Sequence, residues 1–153
     1  MVTVPSTASL FKNFTSTVAA CLMSLILSVD DREDSLLLNN LVIESLGYSS
    51  ITAFNGQTAF RLAQLYQPSL ILLDIALPDI SGLEVLHHLQ QNSLTSAIPV
   101  IAVTAMAMKD EREQIQAAGF DDYLSKPYML EDLENIICYY LNHRPQILYG
   151  KIA

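Results

Sequence analysis

The chain alternates five short apolar runs with five segments of helical periodicity, and this alternation restricts the fold more than any other feature. The third apolar run, at residues 70–73, contains no polar residue at all. Continuous runs of this kind are typical of parallel strands, because helices bury both faces of the sheet that contains them. The alternation therefore predicts a doubly wound α/β fold with three layers around a five-stranded parallel sheet.

The same pattern places the individual strands and the first helix. Strands are predicted at residues 25–29, 50–54, 70–73, 100–103 and 123–125. The first helix is expected to bury Leu38, Leu41, Val42 and Leu46, because apolar residues recur there at the spacing of a helical face. Asn55 and Gly56 form a pair that is typical of turns, and we expect this turn to close the second strand.

The composition excludes several classes of protein. Hydrophobic residues make up 51% of the 153 residues and charged residues only 16%, against roughly 25% charged residues in an average soluble domain. So high an apolar content argues against intrinsic disorder. The formal net charge of −8 argues against nucleic-acid binding, which needs a surplus of Lys and Arg. Cys21 and Cys138 are too few for a disulfide scaffold and indicate reduced thiols in a cytoplasmic protein.

The two ends of the chain differ from its middle. Residues 1–22 are rich in Ser and Thr and are expected to form a loosely ordered extension, with a short docking helix as the alternative. The apolar stretch at 18–29 has about half the length of a membrane-spanning helix, so we expect no membrane insertion. The predicted domain occupies residues 23–142, and the tail at 143–153 is too short for an output domain.

Polar side chains follow four of the predicted strands at their carboxyl ends, the edge where open α/β sheets bind ligands. The residues expected there are Asp30, Asp31, Asp74, Thr104 and Lys126. Three carboxylates would repel one another without a counter-charge, and Mg²⁺ prefers oxygen ligands of this kind. The cluster therefore predicts a site for Mg²⁺ and a phosphate, where a carboxylate can act as the nucleophile that forms an acyl phosphate.

A purely structural role is the alternative for each of these residues taken singly. Asp at a strand end often caps the helix that follows, and Asp31 or Asp34 is a candidate cap for the first helix. The occurrence of all five residues at consecutive strand ends favours a functional site. His87 and His88 are expected on the solvated face of the third helix rather than as phosphotransfer histidines.

The site residues lie in segments that resemble a known family. These segments are Leu-Ser-Val-Asp-Asp at 27–31, Leu-Leu-Asp-Ile-Ala-Leu-Pro at 72–78, Val-Thr-Ala at 103–105 and Tyr-Leu-Ser-Lys-Pro at 123–127. From about residue 24 to residue 141, the chain resembles the receiver domain of two-component response regulators. The segment Pro-Asp-Ile-Ser-Gly-Leu-Glu-Val at 78–85 is most similar to stand-alone receivers of the DivK type.

The resemblance implies a fold, a reaction and a cofactor. The fold would be a flavodoxin-like (βα)5 unit with strand order 2-1-3-4-5. Asp74 would accept a phosphoryl group from a phosphohistidine on a histidine kinase or a histidine phosphotransfer protein. Mg²⁺ would be bound directly by Asp31, Asp74 and the backbone carbonyl of Ala76, whereas Asp30 would act mainly through water.

The resemblance also implies how the signal would leave the site. Thr104 and Lys126 would hold the phosphoryl oxygens, and movement of Thr104 would let Tyr123 turn inward. This change would remodel the face made by the fourth helix, fifth strand and fifth helix, where a downstream protein would bind. A homodimer is a further expected form of the chain. The peptide bond between Lys126 and Pro127 would be cis.

Two neighbours of the site are expected to lengthen the lifetime of the phosphorylated state. Ala76 and Met106 lie two residues after Asp74 and Thr104 respectively. Neither side chain carries a group that could position an attacking water. The resemblance therefore implies slow self-dephosphorylation.

A signalling switch, rather than an enzyme acting on other substrates, is the leading interpretation, and other functions are its alternatives. A phosphatase of the haloacid dehalogenase type would need a second Asp where Ala76 stands. A flavodoxin-like electron carrier would share the fold, but Asp30 and Asp31 would repel the phosphate of its cofactor. A receiver that acts unphosphorylated as a scaffold, or one that is a module of a hybrid histidine kinase, agrees with every residue of the site.

Overall fold

A computed structural model describes residues 24–105 and 109–141 of the chain. The strands are β1 (Leu25–Val29), β2 (Ser49–Ala53), β3 (Leu70–Asp74), β4 (Val100–Thr104) and β5 (Asp122–Ser125). The helices are α1 (Glu33–Ser45), α2 (Gly56–Tyr66), α3 (Gly82–Gln91), α4 (Lys109–Ala118) and α5 (Leu130–Leu141). The strands are all parallel in the order β2-β1-β3-β4-β5, which confirms the expected flavodoxin-like architecture.

Some of the sequence-based expectations concern residues outside the described part of the chain. They are the extension at 1–22, the tail at 143–153 and the role of Met106. Within the described residues, none of the helices combines the length and the apolar character that a membrane crossing requires.

Two hydrophobic cores, one on each face of the sheet, account for the continuous apolar run in β3. Leu70 and Leu72 belong to the core under α1 and α5, whereas Ile71 and Leu73 belong to the core under α2, α3 and α4. Each of these four side chains is at most 1% exposed. Because successive side chains of a strand point to opposite faces, a strand covered on both sides has no solvated position for a polar residue.

The buried face of α1 differs from the predicted one. Leu38 and Leu41 are 39% and 59% exposed, so the prediction that both pack in the core is wrong. The residues that α1 buries are Leu36, Asn39, Val42 and Ile43. Apolar residues lie on several sides of this helix, so periodicity alone does not select one face. Asn39 lies on the face that α1 buries, where its side chain makes hydrogen bonds with Ser28 and Tyr128.

The connection between β2 and α2 lies one residue earlier than predicted. β2 ends at Ala53, one residue before the predicted end, and α2 begins at Gly56. Asn55 is the N-cap of α2, and its Oδ1 accepts a hydrogen bond from the backbone N–H of Thr58 at 2.8 Å. An Asn side chain in this position satisfies an amide that has no partner inside the helix. Asn55 and Gly56 therefore start a helix, and the prediction that they form a turn is wrong.

Tyr140 links α5 to the start of β5. Its hydroxyl donates a hydrogen bond to the backbone oxygen of Asp121 at 3.0 Å and lies 3.3 Å from Oδ2 of Asp122. Burial, followed by the nearby carboxylate of Asp122, raises the pKa of Tyr140 from 10.0 to about 12. A phenol whose pKa rises on folding stabilises the folded state below its unfolded pKa, and that stabilisation is lost as pH rises through the folded pKa.

The substitution Tyr140→Phe tests this link. It should lower the melting temperature at neutral pH, because the hydroxyl's hydrogen bonds contribute to the free energy of unfolding. The difference from wild type should then shrink between pH 10 and pH 12, where wild-type Tyr140 loses its advantage. Thermal unfolding monitored by circular dichroism measures the difference, with Tyr66→Phe at the exposed end of α2 as the control. A difference that stays constant over this pH range would contradict the expected titration.

Candidate functional site

Five polar residues meet at the carboxyl edge of the sheet. They follow or end strands β1, β3, β4 and β5, and in chain order they are Asp30, Asp31, Asp74, Thr104 and Lys126. Asp30, Asp74 and Thr104 are 2%, 6% and 2% exposed, whereas Asp31 faces solvent. Parallel strands end at the same edge of a sheet, which is why residues so far apart in sequence lie together here.

The ammonium group of Lys126 lies between two of the carboxylates. Its Nζ donates a hydrogen bond to Oδ2 of Asp30 at 2.6 Å and to Oδ2 of Asp74 at 3.1 Å. Burial alone would lower the pKa of Lys126, but the hydrogen bonds with Asp30 and Asp74 outweigh burial and hold this pKa above its usual value. Lys126 is therefore a fixed positive charge inside an acidic site.

Asp74 is oriented by two donors. While Oδ2 contacts Lys126, Oδ1 accepts a hydrogen bond from the backbone N–H of Ala76 at 3.0 Å. Burial raises the pKa of Asp74, although the hydrogen bonds from Lys126 and Ala76 oppose this rise. The carboxylate is thus held in one orientation and away from bulk water, as suits a nucleophile or a metal ligand.

Three carboxylates of the site are close enough to share one cation. Oxygen atoms of Asp30, Asp31 and Asp74 all lie within 4.8 Å of one another. Their mutual repulsion exceeds what the single charge of Lys126 neutralises. Hard cations such as Mg²⁺ prefer carboxylate oxygens, carbonyl oxygens and water, so this donor set fits Mg²⁺.

The carboxylates after β1 do not cap the helix that follows. The N-cap residue of α1 is Arg32, and among the described residues no side chain caps it. Asp34 lies within the first turn of the helix instead. Oδ1 of Asp30 accepts a hydrogen bond from the backbone N–H of Arg32 at 2.9 Å, which fixes the turn between β1 and α1. The alternative that Asp31 or Asp34 serves as the N-cap is therefore wrong.

Comparison with known proteins identifies the family. A sequence profile described as "Response regulator receiver domain" matches residues 26–138. The chain belongs to the response regulator receiver family. Receiver domains are signalling switches of phosphorelays, which accept phosphoryl groups from histidine kinases or phosphotransfer proteins.

Individual relatives agree with this receiver assignment. The chain is 45% identical over 102 residues to the polar-differentiation response regulator DivK of Brucella anthropi, covering 67% of this chain and 83% of that protein. The receiver domain of a sensor histidine kinase from Pseudomonas aeruginosa, solved with a magnesium ion in its active-site cleft, has a TM-score of 0.72 and 29% identity over 78% of this chain and 98% of its own. Chemotaxis response regulator CheY4 of Vibrio cholerae shares the fold, with a TM-score of 0.73 and 24% identity over 77% and 98% of the two chains.

In this receiver, the loop between β3 and α3 approaches Asp74 very closely. At Gly82, the first residue of α3, a Cβ would lie 2.5 Å from the backbone oxygen of Asp74. That distance is shorter than real Cβ contacts, so a larger residue would push the loop away from the site. The side chain of Ala76 is exposed beside Asp74 and offers no polar group.

The expected switch residue Tyr123 lies in β5 and is half-buried. The guanidinium of Arg112 on α4 lies 5.4 Å from the centroid of its ring, which is within the range of a cation–π contact. The peptide bond between Lys126 and Pro127 is cis. His87 and His88 are both exposed on α3, away from the five site residues.

A buried polar contact beside the site was missed by sequence reasoning. Asn39 of α1 is 3% exposed, its Oδ1 accepts a hydrogen bond from the hydroxyl of Tyr128, and its Nδ2 lies 3.4 Å from Oγ of Ser28. Tyr128 follows Lys126 by two residues, so this contact joins the Lys126 segment to α1 and β1. The available signal was the pair Asn39 and Asn40 among the apolar residues of α1, and it does not reveal a partner that lies 89 residues later.

The substitution Tyr128→Phe tests the importance of this contact. It should reduce the free energy of unfolding by about 1–3 kcal/mol, because Oδ1 of Asn39 would stay buried without its donor. The double variant Asn39→Leu/Tyr128→Phe should cost less than the sum of the two single variants. Urea unfolding measures all three, with Tyr66→Phe as the exposed control. Strictly additive losses would show that the two side chains do not interact.

Proposed function

We propose that this chain is a stand-alone response regulator of a phosphorelay, in which Asp74 accepts a phosphoryl group with the help of Mg²⁺. The observation that carries this proposal is the contact of Lys126 with both Asp30 and Asp74, within reach of a third carboxylate. The similarity to DivK supports the stand-alone form. The donor would be a histidine kinase or a histidine phosphotransfer protein.

The phosphoryl transfer is a single displacement at phosphorus. A carboxylate oxygen of Asp74 forms the new P–O bond while the P–N bond to the donor's imidazole breaks. The electron pair of that bond stays on the imidazole nitrogen, which takes a proton. The ammonium of Lys126 and the hydroxyl of Thr104 hold the phosphoryl oxygens, where negative charge must be stabilised during transfer.

The metal ligands that we propose are Asp31, Asp74 and the backbone carbonyl of Ala76, with Asp30 acting mainly through water. Bound Mg²⁺ supplies positive charge that offsets the carboxylates and the phosphoryl oxygens. The spacing of the three carboxylates supports this assignment. Asp74 contacts Lys126 through Oδ2 and Ala76 through Oδ1, so the same residues that would bind the metal also orient the nucleophile.

We propose that phosphorylation is read at the face made by α4, β5 and α5. Thr104 moves toward the phosphoryl group, and Tyr123 turns into the space that this movement opens. The half-buried ring of Tyr123 and the guanidinium of Arg112 over it support this route, because an inward turn of the ring changes what α4 presents to a partner. The reader of this face is a downstream protein or a second copy of the chain.

The remaining properties follow from the same role. We propose that the protein acts in the cytoplasm, since Cys21 and Cys138 suit a reducing compartment. Its chemistry is limited to its own phosphorylation and dephosphorylation. Nucleic acid is not among its partners, because the net charge of −8 opposes phosphate-backbone binding.

Incubation of the full chain with phosphoramidate and Mg²⁺ tests the phosphoacceptor. Intact-protein mass spectrometry should show one added phosphoryl group, which hydroxylamine removes because it cleaves acyl phosphates. Asp74→Asn should abolish the added mass, whereas Asp110→Asn, an exposed substitution on α4, should leave it unchanged. Chelation of Mg²⁺ with EDTA should also suppress it, because the uncompensated carboxylates repel the donor.

Two outcomes would contradict the proposal. A wild-type protein that gains no phosphoryl group would favour the alternative of an unphosphorylated scaffold. Phosphorylation that persists in Asp74→Asn would place the acceptor elsewhere. A receiver module of a hybrid histidine kinase would also gain the phosphoryl group. Sequencing of the full gene tests this alternative, because a hybrid kinase encodes a kinase domain in the same chain.

The lifetime of the acyl phosphate is a separate prediction. Ala76→Asn should shorten it by about threefold to tenfold, because an amide beside Asp74 can position the attacking water that Ala76 cannot. The decay is measured by mass spectrometry after removal of the phosphodonor. Ala117→Asn on the exposed side of α4 provides a control with the same change of side chain. An unchanged lifetime in Ala76→Asn would show that water positioning at this residue does not limit hydrolysis.

A further inference from the structure

The loop between β3 and α3 carries Ala76 and therefore sets part of the geometry around Asp74. At its base, the backbone N–H of Gly82 donates a hydrogen bond to the backbone oxygen of Ile75 at 2.8 Å. The N–H of Ile75 in turn donates to the oxygen of Val103 in β4 at 3.3 Å. These bonds hold the two ends of the loop and leave residues 76–81 to be positioned by other contacts.

Asp79, in the outer part of this loop, bonds to a different helix. Its Oδ1 accepts a hydrogen bond from the backbone N–H of Gly56 at 2.8 Å, and its Oδ2 accepts one from that of Gln57 at 2.9 Å. The first turn of a helix has amides without partners inside the helix. In α2, two side chains share these amides. Asn55 accepts a hydrogen bond from the N–H of Thr58, and Asp79 accepts those from the N–H groups of Gly56 and Gln57.

Apolar packing brings the same two segments together. At Gly56, a Cβ would lie 2.5 Å from Cγ1 of Ile80 and 2.7 Å from Cγ2 of Val85. Gly56 at the start of α2 therefore packs against Ile80, the residue after Asp79, with no space for a side chain at position 56. The amide of Gly56, followed by that of Gln57, lowers the pKa of Asp79, so the acceptor is an ionised carboxylate and its hydrogen bonds are charge-assisted.

We propose that Asp79 is a positioning residue for the phosphorylation site, because its bonds to α2 hold the loop that presents Ala76 to Asp74. Ala76 lies three residues before Asp79, and its N–H donates to Oδ1 of Asp74. A loop released from α2 shifts both this N–H and the carbonyl assigned to Mg²⁺. The inference rests on the proposed function of Asp74, and it differs from a capping role, which would concern only the stability of α2.

A pair of variants separates positioning from capping. Asp79→Asn keeps the size of the side chain but removes the charge and one acceptor oxygen, so it weakens the bonds that α2 makes to the loop. Asn55→Ala removes a cap from the same helix and leaves the loop contacts intact. Both variants should lower the melting temperature of the full chain, because both leave N-terminal amides of α2 poorly satisfied.

Two readouts should respond to Asp79→Asn alone. Hydrogen exchange of the Ala76 amide, measured by NMR without Mg²⁺ or phosphodonor, should be about tenfold faster, because the loop opens more often. The dissociation constant for Mg²⁺, measured by titration, should rise by about threefold to tenfold, as for substitutions that disturb the support of a metal ligand. Asp79→Glu, which restores the charge and both oxygens, should recover at least part of each effect.

The outcomes distinguish this inference from the proposed function. Equal effects of Asp79→Asn and Asn55→Ala on both readouts, or no effect of Asp79→Asn on either, would reduce Asp79 to a helix cap and overturn the inference. A wild-type chain that phosphoramidate does not phosphorylate would overturn the proposed function instead. Even then, exchange of the Ala76 amide would still show whether Asp79 positions the loop.

Discussion

The contact of one ammonium group with two buried carboxylates organises the functional end of this molecule. Lys126 follows β5 and contacts both Asp30 and Asp74. Its positive charge allows these two acidic residues to lie almost wholly out of solvent. Without such a partner, burial would drive a carboxyl group toward its neutral form. A neutral acid is a poor nucleophile and a poor ligand for a hard cation. The hydrogen bond from Lys126 thus opposes the rise that burial causes in the pKa of Asp74, the carboxylate that we propose as the phosphoryl acceptor.

The surrounding structure fixes where these charges stand. The two hydrophobic cores pack against β3 on both of its faces. Asp74 therefore follows four side chains that are tightly packed and buried. Gly82 lets α3 begin directly against the backbone of Asp74, and Tyr128 anchors the Lys126 segment to α1 through Asn39. Each side of the site is therefore supported by a different helix.

The fold and the site residues follow from local pattern, whereas the contacts that support the site do not. The ends of the strands could be predicted from the sequence, because a parallel strand buried on both faces is apolar until it ends. In β3, the first polar residue is Asp74. The buried face of α1 was predicted wrongly because its leucines lie on several sides and a buried Asn39 replaces one of the expected apolar positions. The bonds of Asp79 to α2 join residues more than twenty positions apart. The sequence does not indicate from which backbone amides a carboxylate in a loop accepts its hydrogen bonds.

The two ends of the central salt bridge are 96 residues apart, at the first and last strands of the described sheet. A sheet that lacked β5 would bring Asp30, Asp31 and Asp74 together without the ammonium group that neutralises part of their charge. β5 pairs with β4, and its Leu124 belongs to the hydrophobic core under α1 and α5. Addition of the last strand to the sheet therefore completes that core and the charge balance of the site in the same step.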